Sequence, residues 1–432
     1  MPNLRTFRLH HLGCKVNQYE TQLLREGLES LGMHAAPDGA GSDLFVLNTC
    51  SVTEHSGTKS RHALRHQQRL NPNAEMLVTG CYAESDRERV EEIEGVTRAF
   101  GNKEKQGLVP WVARELLGME GELPEMPKGI SEFAGHTRAF VKIQDGCRDH
   151  CTFCIIPALR GDVQSRGEEE IIEELLRLVD SGYKEVVFTG IHLGYYGFDR
   201  QDPEAMMRLL RRTREIPGLR HAKLSSVEVH EISDELIDLF AESPDFFLPH
   251  FHLPLQAGCD ATLKRMRRRY NVDRFRRSVA QLRERLDRPA ITTDVIVGFP
   301  GESRGDFEDS YRFCEEMNFA KMHIFPYSVR RGTLAETMPD HVPHEVLAQN
   351  KRLLADLDDA MASEFRELWV GSEVPALIEG RRNPQTGQLT GLSDRFVRVD
   401  FDGGDELMNE IIPIRVKNNG VDRVLGQRVL RT

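Results

Sequence analysis

The sequence predicts an α/β protein in three parts: an N-terminal doubly wound parallel sheet domain, a central partial (β/α)6 barrel and a small C-terminal antiparallel β-barrel. Three observations predict this. Strand-length apolar runs alternate with helix-length amphipathic runs through the first hundred residues. After a Gly-, Pro- and Glu-containing break, the alternation resumes at Thr137 and passes through six strands by Tyr327. From Gly371 the pattern changes to short alternating strands between Gly and Asn turns. The expected divisions are 1–115, a linker at 116–136, a barrel at 137–370 and the small barrel at 371–432.

In the first part, strands are expected at Arg5–Leu9, Asp43–Leu47 and Glu75–Thr79. Between them lie an amphipathic helix at Gln18–Leu31, apolar at Leu23, Leu24, Leu28 and Leu31, and a polar, basic helix from about Glu54 to Leu70. A further helix is expected at Ser85–Ile93. In the second part, strands are expected at Ala139–Lys142, Glu185–Thr189, His221–Ser225, His250–Leu253, Thr292–Val297 and Lys321–Phe325. The intervening helices are Glu168–Ser181, Pro203–Glu215, Ser233–Ala241, Asp260–Arg268, Val272–Leu286 and Asp306–Glu316, with one more at His344–Leu368. In the third part, Phe396–Phe401 and Glu410–Val416 are the clearest strands.

Composition fits a folded globular chain, with 29% charged and 39% hydrophobic residues. The net charge of −11 excludes a generally basic nucleic-acid coat, so any nucleic-acid binding must use local basic patches. No apolar run is long enough for a membrane span, and Met1–Leu12 has no signal-peptide core. The expected compartment is the cytosol, where cysteines stay reduced and clusters of them bind metal or act in catalysis.

Of the eight cysteines, Cys147, Cys151 and Cys154 share one loop in a C-x3-C-x2-C spacing after the first barrel strand. Three thiolates on one loop can hold three irons of a [4Fe–4S] cube and leave the fourth iron open to a small molecule. Zinc is the alternative, with His150 as a poorly placed fourth ligand, and incidental core cysteines are a second. Cys14, Cys50 and Cys81 are far apart in sequence, and a lone cysteine is usually a small buried hydrophobe. Each, however, follows a strand's carboxyl end, the edge at which open α/β sheets bind ligands. Cys259 and Cys314 match no ligand pattern; Cys314, beside Phe313 on a helix's apolar face, suits core packing.

The C-x3-C-x2-C loop, with Phe153 before its last cysteine, resembles the radical S-adenosylmethionine (SAM) superfamily. The stretches Leu12-Gly13-Cys14-Lys15-Val16-Asn17-Gln18-Tyr19-Glu20-Thr21, Asn48-Thr49-Cys50-Ser51-Val52-Thr53 and Thr79-Gly80-Cys81 are similar to the methylthiotransferase N-terminal domain. The last part resembles a TRAM domain, so the likeness to radical SAM methylthiotransferases covers essentially the whole chain. The resemblance implies two [4Fe–4S] clusters: Cys147, Cys151 and Cys154 hold the catalytic one that binds SAM, and Cys14, Cys50 and Cys81 hold a second that carries the inserted sulfur. It implies SAM contacts at Phe153, Thr189, Gly190, Ser225, Gln256, Val297 and Tyr327. Val229 stands where the family often has proline after the acid, which weakens a role for Glu228.

By the same resemblance, the reaction is insertion of a methylthio group at C2 of an adenine in a tRNA anticodon loop, with an electron donor and a sulfur source as partners. Lys15-Val16 looks most like the branch acting on N6-threonylcarbamoyladenosine 37. The isopentenyladenosine branch tends to carry Gln-Met there, and the ribosomal-protein branch Pro-Lys. A non-catalytic RNA-binding iron–sulfur protein, and a radical SAM enzyme acting on protein, are the other readings. The run Lys264–Arg277 carries eight cations and one acid, and Lys264, Arg267, Arg268, Arg269 and Arg276 are expected to meet RNA phosphates. A solvated helix face is the plain alternative. Arg61, Arg65 and Arg69 form a second basic stripe at helical spacing.

Overall fold

A computed structural model of the chain describes residues 5–51 and 54–429. Val52 and Thr53 of the second cysteine motif, the first four residues and the last three residues of the expected small barrel lie outside the described residues.

The N-terminal sheet has five parallel strands: β1 (Thr6–His11), β2 (His34–Ala35), β3 (Leu44–Thr49), β4 (Glu75–Gly80) and β5 (Val96–Phe100), in the order β2-β1-β3-β4-β5. Three of the five were expected from sequence. The edge strands β2 and β5 carry too little apolar periodicity to announce themselves. Helices Lys15–Ser30 and Glu54–Leu70 cover opposite faces. Phe7, Leu44, Val46 and Leu77 join Leu24 and Leu28 on one side, while Phe45, Leu47, Met76 and Val78 join Leu64 on the other. Strand burial on both faces is what a doubly wound parallel sheet requires. The strand order reverses between β1 and β3, and the crevice beyond their carboxyl ends is the ligand position of such folds.

The expected helix Ser85–Ile93 is instead two short pieces, Cys81–Ser85 and Arg87–Glu91. The stretch expected as a linker is a packed strap without regular structure from 117 to 138, with Met126, Ile130 and Phe133 buried. Its backbone is satisfied by side chains from both neighbours. Ser131 and Glu132 donate N–H groups to Glu26, Ile130 to Glu174 and Phe133 to the Tyr183 hydroxyl.

The barrel is built from β6 (Ala139–Lys142), a short hairpin of β7 (Gln144–Asp145) and β8 (Gln164–Ser165), then β9 (Glu185–Thr189), β10 (His221–Leu224), β11 (His250–His252), β12 (Ala290–Val297) and β13 (Lys321–Pro326). Its parallel sheets β6-β9-β10 and β11-β12-β13 are stitched together where Ala222 N–H donates to Phe246 O and Val227 N–H to His252 O. The six strands therefore follow one another around an open barrel. Helix Lys15–Ser30 packs beside β6, and one apolar core runs from the N-terminal sheet into the barrel.

The last strands, β14 (Glu373–Arg382), β15 (Leu389–Ser393), β16 (Arg398–Phe401), β17 (Ile411–Asn419) and β18 (Val424–Arg428), close into a small barrel. Its pairings are antiparallel except for the β16–β18 closure, which is parallel. Arg138 ties this barrel to the core by pairing with Glu185 at 2.9 Å and Glu379 at 3.0 Å, and Phe396 stacks on His250 at 4.2 Å. No helix among the described residues is long and apolar enough to cross a membrane.

Candidate active site

Cys14, Cys50 and Cys81 each stand just past the carboxyl end of β1, β3 or β4. The backbone that brings them there leaves little freedom. At Gly13, with φ +96°, a Cβ would fall 2.5 Å from Cys50 Sγ. At Gly80, with φ +95°, it would fall 2.4 Å from Thr49 O. Only glycine permits both approaches. The Asn17 amide donates to Leu12 O and Thr49 O, both at 2.8 Å, and so holds the first two strand ends together. Thr49 Oγ1 accepts from the N–H groups of Tyr82 and Ala83, which seats the helix that begins at Cys81. Cys14 is exposed, whereas Cys50 and Cys81 are buried.

Cys147, Cys151 and Cys154 lie on the loop that follows β7. It is pinned where Cys147 N–H donates to Gly161 O at 3.2 Å, Cys154 N–H to Cys151 O at 3.0 Å and Thr152 N–H to Met266 O at 3.1 Å. All three cysteines line a cavity of about 200 Å³. Phe153 and Gln256 line it too, together with His192, Glu228 and Arg268. The other expected SAM contacts fall around it. Gly190 sits against Gln144, whose side-chain carbonyl accepts from Ile191 and His192 N–H. The cavity wall carries Ser226 rather than Ser225, and Thr189 and Val297 are buried strand residues. Tyr327 stands behind that wall, packed on Phe299, which meets Phe153 edge-on; its hydroxyl is buried with no hydrogen-bond partner among the described residues.

The cations of the run Lys264–Arg277 do not all face solvent. Its first helix ends at Arg265, and Arg268 turns inward, with a side chain only 6% exposed. Arg268 donates to Cys151 Sγ at 3.4 Å and to Glu228 at 2.6 Å. Arg276 is held by Glu316 and Asp273, and Arg269 by Asp149 and the Tyr195 hydroxyl. Lys264 and Arg267 remain exposed. Arg61, Arg65 and Arg69 line a separate cavity of about 580 Å³, and Arg61 donates to the hydroxyl of Tyr82, the residue after Cys81.

Sequence reasoning missed the polar network between the triads. Glu20 is buried among Arg160, Lys142 and Lys105, which hold its carboxyl well below the usual range against the cost of burial. Arg160 also pairs with Asp145 and donates to Asn17. Asn102 lies 3.6 Å from Cys81 Sγ and donates to Leu159 O at 3.0 Å. Their signal was nearness to the cysteines: Asn17 and Glu20 follow Cys14, and Arg160 follows Cys154. His192 is also new. Burial works against its charge, yet Cys147 and Glu231 outweigh it and raise the imidazolium to about 10.

The donor set suits an iron–sulfur cluster. Burial pushes the Cys154 thiol up to about 12, and Cys151 and Cys147 add to the shift. Three neighbouring thiolates repel one another, and a multivalent metal centre removes that penalty. His150, the sequence candidate for a zinc ligand, is exposed.

The radical SAM superfamily matches residues 141–314, and an uncharacterized protein family, UPF0004, matches residues 6–101. The chain is 35% identical over 437 aligned positions to the threonylcarbamoyladenosine tRNA methylthiotransferase MtaB of Bacillus subtilis, covering 99% of this chain and 97% of that one. It is 37% identical to the Chlamydia pneumoniae protein of the same description, covering 98% of each. A tRNA-2-methylthio-N(6)-dimethylallyladenosine synthase of Thermobifida fusca is 35% identical, over 94% of this chain and 85% of that one. Among solved structures, the radical SAM methyltransferase TsrM of Kitasatospora setae shares the fold, with a TM-score of 0.56 at 13% identity over 77% of each chain.

Proposed function

The chain belongs to the radical SAM methylthiotransferases that modify tRNA, and from that premise we propose that it inserts a methylthio group at C2 of N6-threonylcarbamoyladenosine 37 in the anticodon loop, with two [4Fe–4S] clusters and SAM. The observation that carries the substrate is the near end-to-end match to two threonylcarbamoyladenosine methylthiotransferases, over 97% and 98% of their length. The 35% identity to the Thermobifida fusca enzyme supports a second reading, C2 of N6-isopentenyladenosine 37.

Cys147, Cys151 and Cys154 hold one cluster and Cys14, Cys50 and Cys81 the other. When bound, the clusters and SAM supply one-electron chemistry and the sulfur and methyl to be transferred, which suits an aromatic C–H that acid–base catalysis cannot open. The chain supplies position. Arg268 gives Cys151 a charge-assisted donor, and Glu228 fixes that guanidinium. Arg160 and Asn102 set the two triads against one another. Phe153, Gln256 and Ser226 shape the wall on which SAM rests. Exposed Lys264 and Arg267, with Arg65 and Arg69, take backbone phosphates. The electron donor and the sulfur source dock from the cytoplasm, where the tRNA is.

Nucleoside mass spectrometry of tRNA from cells lacking the gene tests this. The expected result is loss of the 2-methylthio form with accumulation of its threonylcarbamoyl precursor. Undiminished 2-methylthio-threonylcarbamoyladenosine would overturn the reading, and loss of the isopentenyl counterpart instead would establish the second one.

A further inference from the structure

The barrel interior holds a polar cluster that neither triad uses. His252 Nε2 lies 3.2 Å from Asp294 Oδ2, and the same ring's Nδ1 lies 3.0 Å from Thr292 Oγ1. The His323 ring is centred 5.8 Å from that of His252, and His252, Asp294 and His323 can bring one ligand atom each within 4.8 Å of one another. Lys15, the first residue of helix Lys15–Ser30, holds its ammonium 6.0 Å from the centre of the Phe140 ring on β6. Among the described residues no carboxylate lies within ion-pair distance of Lys15, whereas Lys142 on the same strand as Phe140 is engaged by Glu20 and Asp145.

Charge decides the chemistry of what belongs here. Lys15 sits close enough to Asp294, His250 and His323 to bias their charge, so a metal cation at the two-histidine, one-carboxylate cluster would be opposed by a resident ammonium. Lys15 is exposed and so open to an arriving group, and a carboxylate meeting its ammonium makes a charge-assisted hydrogen bond. The place is equally specific. Lys15 follows Cys14 of one triad in the chain, and Gln256, which lines the cavity of the other, donates its N–H to Asp294 O at 2.8 Å.

We infer that Lys15, His252, Asp294 and His323 form the subsite for the threonylcarbamoyl side chain of the substrate base. Lys15 takes its carboxylate, and the two imidazoles and Asp294 take its hydroxyl and urea groups. This rests on the threonylcarbamoyladenosine reading and adds the residues that enforce it. An isopentenyl group offers no partner to these groups, and sites built to satisfy polar substituents reject analogues that lack them.

The test is equilibrium binding of the anaerobically reconstituted full chain, without SAM, to three anticodon stem–loop RNAs that carry threonylcarbamoyladenosine, adenosine or isopentenyladenosine at position 37. The wild type is expected to prefer the first by about tenfold or more, as a charge-assisted hydrogen bond to the carboxylate implies. Lys15→Met should bring the first two within about twofold while adenosine-loop binding holds, and His323→Ala should fall between. Iron content is measured alongside, because Lys15 adjoins Cys14. If Lys15→Met loses iron, His323→Ala, distant in sequence from all six triad cysteines, decides alone. Variants that keep iron and the full preference overturn the subsite and leave the substrate reading intact. A wild type with no preference for the threonylcarbamoyl loop overturns the substrate reading, and the subsite falls with it.

Discussion

Arg160 donates from Nη2 to Asn17 Oδ1 at 2.9 Å and so joins the helix that follows Cys154 to the helix that follows Cys14. The same guanidinium pairs with Glu20 and Asp145; Lys142 also engages both and Lys105 engages Glu20, so three cations meet two carboxylates. Replacing Arg160 by Leu leaves two carboxylates short of a partner in a buried site. Removing one member of a buried ion pair typically costs about 3–5 kcal/mol. Glu20 keeps Lys105 and Lys142, and Asp145 keeps Lys142, so denaturant unfolding should show a clear loss that stays below that range. Arg160→Lys keeps the charge but not the planar fork, and should recover part of it. A fully stable Leu variant would mean the network does not hold the two halves together.

Gly80→Ala should be destabilised by at least about 1–3 kcal/mol, the usual cost of a strained backbone position, because its φ is +95° and the new Cβ would meet Thr49 O at 2.4 Å. The shift moves Cys81, so iron retained after gel filtration should fall with it. Thermal melts and iron assays on the same sample check both.

Phosphate binding should divide along the observed pairings. Arg65→Ala with Arg69→Ala, or Lys264→Ala with Arg267→Ala, should weaken tRNA binding and flatten its log–log salt dependence by roughly one unit for each phosphate no longer neutralised. Arg276→Ala should leave the slope alone, since Glu316 and Asp273 already occupy that guanidinium. A flattened slope in Arg276→Ala would extend the phosphate surface along the whole run from Lys264 to Arg277.

Glu302, in the turn after β12, is pushed up to about 7 by burial, opposed by the Gly298 N–H that its carboxylate accepts. An acid whose folded value is raised binds its proton more tightly in the native state. Its contribution is therefore favourable at low pH and is lost as pH rises from the unfolded value through 7. Glu302→Gln keeps an acceptor without the charge. Its stability advantage over wild type should widen between pH 5 and pH 8, towards about 2–3 kcal/mol. A constant difference across that range would contradict the buried carboxyl.

The strand ends carrying Cys14, Cys50 and Cys81 were legible because each cysteine closes a short apolar run, and the six barrel strands because they repeat. The strand Val96–Phe100 was not, with Arg98 breaking a five-residue pattern. Nor was the strap's packing, since Met126, Ile130 and Phe133 have no common period and the N–H groups of Ile130 and Ser131 are satisfied by Glu174 and Glu26 from distant elements. At the site, cysteine spacing told which residues cluster. It could not show that Arg268 turns inward to Glu228, forty residues away in sequence, because a basic run reads the same whether its members face solvent or a thiol.

The most direct measurement is iron per chain, together with 5′-deoxyadenosine release, in the anaerobic Cys14→Ala, Cys50→Ala, Cys81→Ala triple variant. Two clusters predict about eight irons in the wild type and about half that in the variant. The variant should still cleave some SAM on reduction, unproductively, because Cys147, Cys151 and Cys154 are untouched. Full iron in the variant would contradict a second cluster at Cys14, Cys50 and Cys81.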